Sequence, residues 1–507
     1  MNLSLVNSCT LIGVHAIAVS VETHLAGGLP SLSIVGMPET AVRESKDRVR
    51  AAILNSGFDF PARRITINLA PADLPKHGGR FDLPIALGVL AASGQINPDS
   101  LDGIEFIGEL ALGGELRAVP GALPSAVAAQ QLNHALVVPV ANQHEASLAE
   151  KCRIHAYGSL LELCNDLAKA EPLVCVSSDY SQSESHRLPA LDLADVRGQH
   201  QARRALEVVA AGAHNLLLVG PPGTGKSMLA SRLPGILPPL SLEQALETAS
   251  IASVSRGGLD IGNWRRRPYR APHHTTSGVA LVGGGGQPKP GEVSLAHNGI
   301  LFLDELPEFP RHVLDVLREP LENGEITISR AGNQADFPAR IQMVAAMNPC
   351  LCGYYGDTRE ACRCGPEQIA RYQSRISGPL LDRVDVQIAV QRVEYAQLRS
   401  DAPPGESSAD VRKRVIKAHQ IQQRRAGKSN AHLDAKEVEE YCVLGERQHE
   451  WVAHALDKLN LSARAIHRTL KVARTVADLA AVDNITEVHL REALSYRSTL
   501  KEQYRPC

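Results

Sequence analysis

Residues 215–233, NLLLVGPPGTGKSMLASRL, constrain the fold more than any other stretch. An apolar run at 216–219 leads into Gly220, Pro221, Pro222, Gly223, Thr224, Gly225, Lys226 and Ser227, and a helical pattern continues from Met228. Strand, G-x-x-x-x-G-K-[ST] and helix in that order call for a parallel α/β sheet with a loop at one strand's C-terminal end. The glycines let backbone N–H groups curl around phosphate oxygens, and the helix turns its positive dipole end toward them. Residues 220–228 are the expected nucleotide-binding stretch, with Lys226 reaching the β and γ phosphates and Ser227 ligating Mg²⁺.

Two further strand ends fit the same site. In GILFLDEL, the apolar residues Ile300 to Leu303 precede Asp304 and Glu305. Asp304 can hold the magnesium through water, and Glu305 can activate an attacking water. IQMVAAMNPC is a third apolar strand, and its terminal Asn348 would lie near the γ-phosphate and help place that water. Two arginines follow: Arg383 at a turn in SGPLLDRVDVQI, and Arg464 at a helix start in LSARAIHRTLKVAR. Either could donate to a γ-phosphate, from the same chain or a neighbour, or form an ordinary surface pair.

Four of the ten cysteines crowd into MNPCLCGYYGDTREACRCGP, as Cys350, Cys352, Cys362 and Cys364. Two Cys-x-Cys pairs can supply four thiolates to a tetrahedral Zn²⁺. An iron–sulfur cluster or reversible disulfides are the other uses of such a set. No positively charged segment precedes the apolar N-terminus, whose first basic residue other than histidine is Arg43. No apolar run reaches the roughly 18–20 residues of a membrane span. The chain is therefore expected to be cytoplasmic, without a membrane partner, where thiols stay reduced and a cysteine cluster favours metal.

With 507 residues the chain exceeds one compact core, and a net charge of −2 excludes a generally basic nucleic-acid coat. We expect an α/β multidomain protein: an N-terminal α+β domain over 1–175, a linker over 176–190, a P-loop core over 191–395 and a helical domain over 396–507. The segment LIGVHAIAVSVE alternates as a half-buried strand, and SDAPPGESSAD marks a break at 400–410. Within the core, EITISR and FPARIQMV read as a hairpin closed by AGNQ, and VGGGGQPKPGEV as a projecting Gly-rich loop.

The order of phosphate loop, LFLDE, MN, LLDR and SAR resembles the AAA+ ATPases, in the branch that holds the magnesium-chelatase ATPase subunit and the MCM helicases. APHHTTSGVALVGGGGQPKPGEVSLAHNGILFLDELPEF and the cysteine stretch are similar to the YifB/ComM family, over nearly the whole chain. The resemblance implies an AAA+ core with a C-terminal helical lid, ATP with Mg²⁺ as cofactors, and a homo-hexameric ring with sites between subunits. It implies that Arg383 is a finger acting on a neighbour's ATP and that Arg464 is a second sensor. It also implies a DNA motor for branch migration in natural transformation, with single-stranded and branched double-stranded DNA and recombination proteins as partners. Lys289, Arg330 and Arg340, in the loop and hairpin, are then the candidates for DNA phosphate contact. The rival readings are a magnesium-chelatase-type ATPase and a protein-remodelling ring that does not act on DNA.

The stretches APADLPKHGGRFDLPIALGVLAASG and IGELALGGELRAVPGALPSAVAAQ resemble the two halves of the Lon protease domain, within the ribosomal S5-like superfold. The position of that family's serine reads Gly79-Arg80-Phe81-Asp82 here, and its lysine falls at about Pro124, so the Ser–Lys dyad is missing. A GGR-DLP pattern shared with the RadA recombination protein leaves Lys76, Arg80 and Asp82 as candidates for DNA or inter-subunit contact.

Overall fold

The computed structural model describes residues 2–169, 171–176, 191–286, 288–330, 333–393, 405–459 and 462–503. Residues 177–190 of the expected linker and 400–404 of the expected break lie outside them. Two compact units emerge. The first holds 1–186 together with 242–264 and 329–337, and the second holds the rest of the chain. Two short stretches from inside the expected 191–395 core thus cluster with the N-terminal residues.

The first unit is built on strands β1 (Leu3–Ile12), β2 (His15–Ala26), β3 (Ser31–Val35), β4 (Arg64–Ala70), β5 (Ile104–Phe106), β6 (Ala135–Pro139) and β7 (Ile154–Tyr157). Their order across the sheet is β3-β4-β2-β1-β5-β6-β7. The stretch LIGVHAIAVSVE is two strands rather than one. Gly13, at φ 61°, turns the chain between β1 and β2, and Ile12 pairs with His15. Glycine reaches that left-handed conformation without a Cβ clash, so alternation continues through the turn and hides it.

Helix Asp82–Ala92 is buried on every side between the sheet and helix Thr40–Asn55. Gly88 is needed there, since a Cβ would lie 2.5 Å from Thr23 Oγ1. A second core, on helix Ala122–Gln131, also takes in Ala249 from helix Leu242–Val254.

The second unit holds a parallel sheet of β8 (Leu216–Val219), β9 (Tyr269–Arg270), β10 (Ile300–Leu303), β11 (Gln342–Met347) and β12 (Val386–Ala389). The order is β9-β10-β11-β8-β12. All four residues of β8, all four of β10 and all six of β11 are buried, as befits strands covered on both faces. The hairpin is shorter than its sequence suggests: Glu325–Arg330 pairs with Asn333–Pro338, and Gln342 onward belongs to β11. Ala335 and Phe337 are buried while Gln334 and Asp336 are exposed, so the second strand starts earlier than an apolar run would mark it. Helices Ser408–Ala426 and Ala463–Leu479 share one apolar core with this sheet.

Lys76, Arg80 and Asp82 turn inward. Lys76 is fully buried with its ammonium on the Pro71 carbonyl oxygen, and Arg80 donates to Pro120 O at 3.0 Å and Ser125 Oγ at 3.2 Å. Asp82 takes a two-pronged pair from Arg48 at 2.8 and 3.0 Å. These side chains serve the interior of the unit and are not presented to DNA or to a neighbouring subunit. Burial pushes the Asp82 carboxyl up to about 6 despite the guanidinium beside it. Arg48→Met should cost the first unit about 1–3 kcal/mol, because the buried Asp82 carboxyl loses its partner and takes up a proton, and Arg48→Met with Asp82→Leu should cost less. Hydrogen exchange of the amides in helix Asp82–Ala92 reads the difference.

Candidate nucleotide site

Three neighbouring strands of the second unit end on one edge of the sheet. Val219 pairs with Met347 and Leu303 with Ala345, so the residues that follow these strands emerge side by side. They are the phosphate loop after β8, Asp304 and Glu305 after β10, and Asn348 after β11. A switch of strand order at the C-terminal ends of a parallel sheet is where such folds bind ligands.

Lys226 opens helix Lys226–Ile236, and Gly225 before it has φ 86°. Its ammonium donates to Gly220 O at 2.7 Å, Pro221 O at 2.9 Å and Asn348 Oδ1 at 3.1 Å. Burial pushes this lysine down to about 8, against the pull of Asp304 and Glu305. Ser227 donates to Asp304 Oδ2 at 2.6 Å, which brings a hydroxyl and a carboxylate to one point. Hard oxygen donors of that kind suit Mg²⁺. Met228 is exposed beside them on the helix's first turn.

Glu305 has left-handed backbone geometry, at φ 51°, and its Oε2 lies 3.1 Å from His274 Nδ1. The His274 ring rests against His273, with centroids 4.1 Å apart, and edge-on to Phe309 at 6.5 Å. Sequence reasoning passed over this histidine. Its signal was the His-His pair just beyond β9, the strand next to β10.

The cysteine loop stands against the phosphate loop. A Cβ at Gly353 would lie 2.8 Å from Pro222 Cδ and 3.9 Å from Asn348 Cγ. The Sγ atoms of Cys350, Cys352 and Cys362 are 3.4 to 3.7 Å apart, and those of all four cysteines lie within 4.8 Å of one another. A tetrahedron with Zn–S bonds of about 2.3 Å has edges of about 3.8 Å, and a disulfide is far shorter at about 2.0 Å. The donor set therefore fits a tetrahedral ion and not a pair of disulfides. Burial works against ionisation of Cys352, but hydrogen bonds from the Tyr354 and Arg363 backbone and the thiols of Cys350 and Cys364 outweigh it, taking the thiol down to about 6.

The remaining candidates are scattered. Arg383 is 7% exposed; it donates to Pro379 O at 2.6 Å and pairs with Glu322. Arg464 is exposed on the first turn of helix Ala463–Leu479. Lys289 is half-buried in a ribbon that pairs Gly283–Gly284 with Lys289–Pro290. Arg340 is exposed, whereas the side chain of Arg330 lies outside the described residues.

Known sequences match nearly the whole chain. The model described as magnesium chelatase, subunit ChlI, covers residues 192–398. Models of subunit ChlI of Mg-chelatase and of the ChlI C-terminal part cover 21–142 and 405–497. The competence protein ComM of Haemophilus influenzae is 50% identical over 503 residues, which is 99% of this chain and 98% of that protein. An uncharacterized protein of Escherichia coli, YifB, is 50% identical over 504 residues, 98% of this chain and 97% of its own length. The DNA replication licensing factor mcm6 of Schizosaccharomyces pombe is 25% identical over 287 residues, 55% of this chain and 29% of that protein.

A nucleotide held by Lys226 would bind with a pH dependence. A bound triphosphate favours the ammonium and returns the group toward its ordinary 10.5, so above about 8 binding takes up a proton. Affinity should be flat below pH 7 and then weaken by up to about tenfold per unit. Calorimetry in two buffers of different ionisation enthalpy should show proton uptake at pH 9 and none at pH 6.5; uptake at neither pH would contradict the assignment.

Proposed function

The chain belongs to the YifB/ComM family of magnesium-chelatase-like AAA+ ATPases, and from that premise we propose that it is a ring-shaped DNA motor that promotes branch migration. In this reading it acts in homologous recombination during natural transformation, extending the joint where an incoming strand invades. The observation that carries the proposal is the meeting of Lys226, Ser227, Asp304, Glu305 and Asn348 at three adjacent strand ends. The name of the Haemophilus influenzae relative supports the link to competence. Similarity to a DNA replication licensing factor supports DNA as the substrate.

Residues Gly220 to Met228 wrap the triphosphate, and Lys226 exchanges its carbonyl partners for β and γ phosphate oxygens. Ser227, and Asp304 through water, would hold magnesium, which when bound would supply positive charge beside the phosphates. Glu305, oriented by His274, takes the proton of the attacking water, and the Asn348 amide aligns that water with the γ-phosphate. Arg383 from the next subunit of a hexamer neutralises charge on the transferring group, with Arg464 as the sensor in the lid. Residues 191–395 act as the motor core, 396–507 as its lid and 1–175 as a dyad-free Lon-like domain. Lys289, Arg330 and Arg340 touch DNA phosphates. Cys350, Cys352, Cys362 and Cys364 hold a structural Zn²⁺, whose chemistry is a four-armed crosslink within one loop.

Two experiments test this reading. The purified protein should hydrolyse ATP faster with DNA and should move a synthetic three- or four-strand junction only with ATP. Glu305→Gln should lower both activities by at least about 10²-fold, the scale of a lost general base. Junction movement that survives Lys226→Ala or Glu305→Gln would rule out the motor. For the metal, elemental analysis should find one zinc per chain, and changing all four cysteines to serine should lower the melting temperature. Zinc-free protein with an unchanged melting temperature would exclude the crosslink.

A further inference from the structure

From Val411 to Leu433 the chain runs for 23 residues without an aspartate or glutamate, and seven of them are lysine or arginine. The whole chain has a net charge of −2, so this run is a local concentration of cations. Most of it forms helix Ser408–Ala426. Val411, Val415 and Ala418 turn into the apolar core of the second unit. Arg412, Lys413, Lys417, Gln420, Gln423 and Arg424 are exposed. By helical geometry Lys413, Lys417, Gln420 and Arg424 fall within about 60° of arc and cover about 16 Å of helix length.

These cations divide into two sets. Arg414 is pinned by Glu207 and Glu406, Arg425 pairs with Asp478 at 2.7 Å, and Lys428 pairs with Glu437 at 2.7 Å. Lys413 reaches the exposed Asp410 at 3.0 Å. Among the described residues no carboxylate pairs with Arg412, Lys417 or Arg424. More cations gather beside Arg412. The Arg267 guanidinium donates to the carbonyl oxygens of Pro238 at 2.7 Å and Asn298 at 2.6 Å. Burial, with Arg412 nearby, pushes it down to about 10, and burial with Arg267 nearby pushes His419 down. Asn298 stands two residues before β10, so this cluster lies at the sheet edge away from the strand ends that carry Asp304 and Asn348.

Like charges held together without counter-ions suit a polyanion, which releases its own condensed cations on binding. A lipid surface is a poor match, because the apolar residues of the helix are already buried in the core. Unpaired bases are a poor match too, since the exposed arc carries no aromatic ring to stack on. A duplex backbone asks for cations and amide donors spaced along a line, and Arg412, Lys417, Arg424, Gln420 and Gln423 provide them. We propose that the exposed face of helix Ser408–Ala426 is a further DNA-contact surface, on which Arg412, Lys417 and Arg424 bind the phosphate backbone of a duplex. The proposal rests on the reading of the chain as a DNA motor. It adds to Lys289, Arg330 and Arg340 a grip on the duplex away from the nucleotide site.

Salt titration of DNA binding tests the surface. The full chain carrying Arg412→Gln, Lys417→Gln and Arg424→Gln together is compared with the parent on a short fluorescent duplex. Loss of three phosphate contacts should flatten the slope of log affinity against log salt by about 2 to 3, and weaken binding at about 50 mM salt at least about tenfold. Binding of a single-stranded dT oligonucleotide should change far less. All three positions are exposed, so the melting temperature should stay within about 2 °C of the parent. An unchanged slope and affinity for the duplex overturns the proposal. Equal losses on duplex and single strand overturn the assignment to a duplex. A polyglutamate peptide that displaces the duplex as well as unlabelled duplex does shows an acidic-protein surface, and also overturns it.

The parent protein separates the two levels. If it binds no DNA, the DNA-motor reading falls and the surface falls with it. If it binds DNA and the triple variant binds equally well, only the surface is removed. If the slope flattens as expected but the parent moves no junction with ATP, the motor is removed and the surface stands. Should the triple variant melt well below the parent, Lys417→Gln alone takes its place, with an expected slope change of about 0.9.

Discussion

The ammonium of Lys226 is a nearly buried positive charge, and three oxygens satisfy it. Two belong to its own loop and the third is the Asn348 side chain, which arrives from another strand. A charge removed from water needs such partners, and their placement dictates much around it. Asn348 is within reach because β11 lies directly beside β8 in parallel register. The same neighbour relation puts β10 on the far side of β11 and sends Asp304 toward Ser227. Sheet order, loop conformation and lysine charge are one arrangement seen from three directions.

The cysteine loop is packed against that arrangement. Gly353 backs onto Pro222, while helix Pro366–Gln373 returns Gln373 Nε2 to the Pro349 carbonyl at 3.0 Å. Arg392, just beyond β12, pairs with Asp357 at 2.9 Å and Glu360 at 3.1 Å and lies over the Tyr354 ring. The loop is therefore tied to the strand ends on both sides of the site. Four thiols converge inside it, within 4.8 Å of one another.

Contiguous chemistry was readable from sequence. The phosphate loop, Asp304, Glu305 and Asn348 each follow an apolar strand directly, so their positions could be derived without knowing the sheet order. The cysteine cluster was readable for the same reason. Contacts between distant segments were hidden. Nothing local pairs His274 with Glu305, and Arg383 reads as exposed at a turn although Glu322 and Pro379 enclose it. The SAR motif drew attention to Arg464, while Arg468, one turn on, reaches the Arg383 carbonyl across 85 residues of sequence. Residues 242–264 and 329–337 likewise cluster with the first unit, the former burying Ala249 in its second core, which sequence spacing cannot reveal. In that unit, Lys76, Arg80 and Asp82 looked available for binding because their charges are visible in sequence and their burial is not.

The central claim is that Lys226 is the pivot on which nucleotide binding turns, released from loop carbonyls to phosphate oxygens while Asn348 remains beside it. A structure of the protein with Mg²⁺ and a non-hydrolysable ATP analogue tests this directly. The account predicts Lys226 Nζ on β and γ phosphate oxygens, Ser227 Oγ on the metal and the Asn348 amide facing the γ-phosphate. A nucleotide bound with Lys226 still on the Gly220 and Pro221 carbonyls, or bound away from the ends of β8, β10 and β11, would contradict it.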